Sequence, residues 1–140
     1  MKSETEIDAL MTTAVEAGLD GLDFMAQFSY ENMAAGYNGC GPEWMLGGCR
    51  DKMTVYLAIF EPAFLIHDMR TEKSDGSRER FSEANLELLR NCLALANYAY
   101  PWYSWRRYRA RAAAFAIFEA CDSHLGFVAW RQAAEKNFQP

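Results

Sequence analysis

Residues 37–49, YNGCGPEWMLGGC, place four glycines and a proline in thirteen positions. Such a stretch lacks both a helix-forming and a strand-forming pattern, so it reads as a loop with special backbone angles. It splits the chain into helix-patterned stretches on either side. Residues 4–17 repeat Ile7, Leu10, Met11, Ala14 and Val15 at i, i+3, i+4, i+7 and i+8, the period of an amphipathic helix. Ser3 followed by Glu6 forms a capping box, and Gly18 marks a stop. A second helix is expected over 20–35, with Leu22, Met25, Phe28 and Ala35 on its stripe.

After the loop, residues 51–60 carry a short apolar run that suits a strand or a buried helix equally. Pro62 suits the first turn of a helix over 62–72, which the KSDGS turn at 73–77 closes. A helix over 79–97 follows, with Ser82 at its cap or within it. Leu86, Leu89, Leu93 and either Ala96 or Asn97 form its stripe. Pro101 breaks the chain before a helix over 102–121, whose part beyond Arg111 has so little polar surface that it should be buried. A short helix over 125–137 ends the pattern. The expected fold is all-α: one compact domain, 1–140, of five or six helices around an antiparallel pair, 62–72 with 79–97. At 140 residues the chain is long enough for one real core.

Charge narrows the function classes. The net charge is -5, with residues 1–49 holding eight acids against Lys2 alone, and the remainder slightly basic. A chain of this balance is a poor general nucleic-acid binder, and no nucleic-acid partner is expected. MKSETEID lacks the apolar core of a signal peptide, and no apolar run of membrane-spanning length occurs. A cytoplasmic or virion-associated location is expected, with reduced thiols as the default for Cys40, Cys49, Cys92 and Cys121. Cys121 and His124 have a zinc-like spacing, but without a CxxC partner buried structural thiols are the stronger reading.

The residues that carry chemistry stand in a particular order. The glycine loop with Asn38-Gly39-Cys40-Gly41-Pro42 comes first, then Phe64-Leu65-Ile66-His67-Asp68, then the Gly76 turn, then Ala84-Asn85 with Leu88 and Asn91. This order resembles the phospholipase A2 superfamily, and the small phospholipase A2-like proteins of phages and prophages most of all, over roughly residues 37–92. The resemblance implies a calcium-dependent hydrolase of phospholipid esters. In it His67 is the base that takes a proton from water, Asn85 on the returning helix orients the imidazole, and calcium is held by Asp68 with the carbonyls of Asn38, Gly39 and Gly41. Oxygen donors suit a hard cation that takes about six to eight of them, and glycines let one loop aim several carbonyls at one point.

Four positions depart from the family pattern. Asn85 stands where the family has a carboxylate, Phe64 stands where it has cysteine, and Arg70-Thr71 replaces its cysteine–aromatic ending. An amide accepts the imidazole N–H but does not stabilise an imidazolium as a carboxylate does. The alternative reading is therefore an impaired or inactive phospholipase-like structural or interaction protein of a virion or other assembly. Without the family, His67 reads as a core histidine between helices, Asp68 as a surface acid, the glycine loop as a tight connection, and His124 as a structural cation after a helix end.

Residues 98–111, YAYPWYSWRRYRAR, hold six aromatics and four arginines with no acid. Such a segment fits a phospholipid or membrane surface, stacked single-stranded bases or a protein hot spot. It equally fits a half-buried helix start. A protein partner in a larger assembly, or a second subunit offering its acidic 1–49 half, fits the same charges.

Overall fold

The computed structural model describes residues 1–37 and 47–138, with side chains described from 56 onward in the second stretch. Every regular element in the described residues is a helix: α1 (Glu4–Ala17), α2 (Leu22–Met25), α3 (Tyr30–Gly36), α4 (Gly47–Glu72), α5 (Arg78–Ala99), α6 (Trp105–Cys121) and α7 (His124–Asn137). The all-α expectation holds, with seven described helices rather than five or six.

Local chemistry sets most boundaries. The Ser3–Glu6 capping box opens α1, and Gly18 ends it in the left-handed region at φ +70°. Ser29, Ser77, Ser104 and Ser123 cap α3, α5, α6 and α7, each accepting a backbone N–H of the first turn. The helix expected over 20–35 is two helices, because Ser29 leaves helical angles to cap α3. Gly21 at φ +94° brings the chain into α2. A Cβ on Gly21 would press on Ile66 and on the Glu87 carboxylate at 3.0–3.2 Å, so glycine is required there for space as well as angle.

Several sequence expectations need correction. Pro62 does not open a helix; it lies inside α4, which begins fifteen residues earlier. Its ring removes one helical hydrogen bond, a cost of about 3 kcal/mol. Burial on both sides outweighs that cost: Phe60, Ala63, Phe64, Leu65, Ile66 and Met69 are all buried, and Phe60 packs edge-on against Phe64. The ambiguous 51–60 run is helix as well, with Leu57 and Phe60 buried. Gly47, Gly48 and Cys49, expected in the loop, form the first turn of α4, where backbone N–H groups have no helical partner to lose. Val15 and Ala35, expected on buried stripes, are exposed.

The stripe on α5 also differs. Leu86 is exposed, and the buried face runs through Phe81, Ala84, Asn85, Leu88, Asn91, Cys92, Leu95 and Ala96. Asparagines within it are paired rather than orphaned. Asn91 Oδ1 accepts the Asp20 N–H at 2.8 Å, and its Nδ2 donates to the Asp20 carbonyl at 3.0 Å, so it binds the α1–α2 turn as a second backbone strand would.

α4 is the central helix. α5 returns antiparallel along it after the 73–77 turn, and α6 returns along α5 after the 100–104 turn. The second reversal shows in its contacts. Asn97 near the end of α5 accepts from Arg107 and Arg111, while Asn85 near its start meets Cys121 and Asp122. α7 clasps the first turn: Ser74 Oγ donates to the Trp130 carbonyl at 2.9 Å, Trp130 Nε1 donates to the Ser77 carbonyl, and Asn137 Nδ2 donates to the carbonyls of Glu72 and Ser74. Trp130 also joins Phe81 and Ala84 in a small apolar cluster of their own.

Candidate functional site

The α4–α5 pair brings His67 to Asn85. The imidazole Nε2 lies 2.9 Å from Asn85 Oδ1. Asn85 is fully buried, and its Nδ2 donates to Asp122 Oδ1 at 3.1 Å and approaches the Cys121 carbonyl at 3.5 Å. With both oxygens on the Nδ2 side, the amide turns its acceptor to the ring. The ring must then carry its proton on Nε2, leaving Nδ1 with a free lone pair.

Burial disfavours the charged form of His67 and lowers its pKa below the ordinary 6.5, against smaller opposing effects from the Asn85 hydrogen bond and the Glu87 charge. Near neutral pH the ring is therefore a neutral imidazole in one tautomer. It is half-buried rather than sealed. Such a group can accept a proton from a water at Nδ1. The Thr71 hydroxyl turns back onto the His67 carbonyl at 3.0 Å within α4.

Asp68 is half-buried beside it. Its charge reaches the Cys121 thiol, which burial first, then Asp68, then Asp122 push up to about 12. The Cys92 thiol is likewise pushed up by burial. Both thiols are buried and free. His124 lies just past the end of α6 at Cys121, as expected, and is also the first residue of α7.

The implied calcium donors divide in two. Asp68 supplies a carboxylate oxygen on the described side. Asn38, Gly39 and Gly41 lie outside the described residues, as does Cys40. Carboxylate and carbonyl oxygens are the donor types a hard divalent cation takes. Among the described residues, no group of three or more His, Cys, Asp or Glu side chains converges. A calcium site would therefore need the loop oxygens as well as Asp68.

Sequence reading found the His67–Asn85 pair and missed what stands behind it. Asp122 lies 37 residues from Asn85, and only the α5–α6 reversal brings them together. It also missed the fork of Arg70, whose Nε and Nη2 donate to the two Glu87 oxygens at 3.1 and 2.9 Å while its guanidinium stacks 3.9 Å from the Phe24 ring centre. This fork lines a groove of about 420 Å³ with Lys73, Arg80, Arg90 and Trp130, which does not include His67. One signal was available: a polar residue set into an apolar helical stripe, as Asn85 and Asn91 are.

The aromatic–basic segment lies elsewhere. It covers the 100–104 turn and the first turns of α6, whereas Cys121 and Asp122 lie at the far end of that helix. Sixteen residues at 1.5 Å each put roughly 24 Å between them. Comparison with protein-family models, with curated proteins and with solved structures finds no match.

Proposed function

We propose that the chain is a calcium-dependent, phospholipase A2-like hydrolase of phospholipid esters. The observation that carries this reading is the 2.9 Å contact between His67 Nε2 and Asn85 Oδ1 across two antiparallel helices, with Asp68 the next residue along. His67 Nδ1 takes the proton of a water whose oxygen attacks the ester carbonyl. The Asn85 amide holds the Nε2–H and so keeps the lone pair on the reacting side. Asp68 and the carbonyls of Asn38, Gly39 and Gly41 would hold calcium, which when bound polarises the ester carbonyl. The proton later passes from the imidazole to the leaving alcohol.

The test is hydrolysis of a fluorescent phospholipid. Activity should require calcium, stop with a chelator, and disappear in His67→Ala. Calcium should also raise the melting temperature of the wild-type chain. Absence of both hydrolysis and a calcium shift removes the enzyme reading.

A second reading has its own support. Asn85 stands where the resemblance implies a carboxylate, so the imidazolium formed during turnover meets an amide, with Asp122 beyond it. A phospholipase-like fold that no longer turns over, kept as a structural or interaction part of a virion or other assembly, fits that feature. Asn85→Asp separates the two: hydrolysis that appears only in this variant supports the inactive descendant.

A further inference from the structure

α6 is apolar on two faces, and only one of them is covered. Ala110, Ala113, Ala114, Ile117 and Cys121 face the core. Trp105, Tyr108, Ala112 and Phe115 recur at i, i+3, i+7 and i+10, so they share one arc of the opposite face. All four are exposed, Trp105 at 80% and Tyr108 at 60%. Trp102 and Tyr103 extend this surface into the preceding turn at 74% and 71%, packed edge to face on each other. The expectation that α6 is buried beyond Arg111 therefore holds for one face only. Large contiguous apolar surface of this kind marks an interaction site.

The charges decide among the possible occupants. At about 100° per residue Arg109 and Arg111 border the stripe on its two sides, and Arg109 is exposed, with no acid in salt-bridge reach among the described residues. Arg107 and Arg111 are held by Asn97, a neutral acceptor. Two arginines thus border the aromatic surface without a paired carboxylate among the described residues. Two copies meeting through this same face would set arginine against arginine. A tryptophan and tyrosine stripe edged by arginines on a surface helix has the chemistry of a helix that lies at a lipid–water boundary.

We propose that the outward face of α6 and the 102–103 turn dock on an anionic phospholipid bilayer, with α6 lying in the headgroup plane. The Trp and Tyr rings enter the headgroup region with their polar tips toward water. Arg109 and Arg111 meet lipid phosphates. Among the described residues no single helix is long and apolar enough to cross a membrane; α6 passes that test only jointly with α7, across a 60° bend. This docking does not rest on the hydrolytic reading, because His67 lies at the other end of the α5–α6 pair.

The experiment is cosedimentation of the full chain with phosphatidylglycerol vesicles and, separately, with phosphatidylcholine vesicles. Binding should favour phosphatidylglycerol and weaken with salt. Arg109→Gln with Arg111→Gln should bind about 30-fold more weakly at a nearly unchanged melting temperature. Trp102→Ala with Trp105→Ala should lose both binding and any blue shift of tryptophan emission. His67→Ala should bind as wild type does, which separates this proposal from the catalytic one. No binding to phosphatidylglycerol, or equal binding by the arginine and tryptophan variants, would overturn it. So would salt-sensitive self-association, or capture of a single-stranded oligonucleotide, lost in the same arginine variant without vesicle binding.

Discussion

The two ends of the α5–α6 pair are built on opposite terms. At one end, Asn85 is fully buried and every polar atom of its amide faces a partner: His67, Asp122 or the Cys121 carbonyl. At the other end, Trp102, Tyr103, Trp105 and Tyr108 stand in solvent beside arginines held by at most a neutral amide. The first end fixes one proton on one ring nitrogen. The second ties α6 to α5 through Asn97 alone among its described arginine contacts and turns its rings to solvent. The proposed chemistry and the proposed attachment are thus separated by the length of α6. A bilayer held at the corner would anchor the chain without sealing the imidazole against it.

The sharpest test of this contrast is Asn85→Leu. It removes the acceptor of the His67 N–H and the donor to Asp122 together, leaving buried polar groups unpaired. Stability should fall by about 3 kcal/mol in denaturant unfolding. A loss under 1 kcal/mol would mean the network is not structural. Gly126→Ala should follow at about 2 kcal/mol, because a Cβ there would land on the Cys121 carbonyl oxygen at the α6–α7 junction.

Acidification probes the same end. The His67 pKa is lowered in the folded chain, so below pH 6.5 the unfolded ring binds a proton that the folded ring refuses. Stability from this group is full above about pH 6.5 and is lost as pH falls, with a slope of at most about 1.4 kcal/mol per pH unit. Thermal melts from pH 7.5 to 5 should show that decline, and His67→Gln should flatten it. The smallest effect belongs to the exposed end. Trp105→Ala with Tyr108→Ser should leave stability within about 0.5 kcal/mol. A larger drop would mean that the aromatic corner is part of the fold.

The sequence was most readable where one residue type decides the local structure. Ser3 with Glu6 announced α1, Gly18 its end, and the KSDGS stretch the turn after α4. The His67–Asn85 pairing was readable because a short turn between two helices leaves the second nowhere to go but back along the first. Elsewhere the deciding forces were distant. Pro62 reads as a helix start because burial of Phe60 and Phe64 around it cannot be seen in a local pattern. Counting apolar residues misplaces the stripe of α5 because it skips Asn85 and Asn91, which are buried through partners contributed by other elements. Asp122 was invisible for the same reason. Exposure of Trp105 and Phe115 could not be read either, since nothing local distinguishes a face that the core covers from one left open.

The clasp that α7 places on the turn after α4 has a consequence for the order of assembly. Ser74 and Ser77 wait for Trp130, and the last carbonyls of α4 wait for Asn137. During synthesis, the turn of the hairpin that carries His67 emerges more than fifty residues before its fastener. Until those final turns leave the ribosome, the hairpin can close but cannot be locked, so a chain halted early would hold its imidazole on an unsecured hinge.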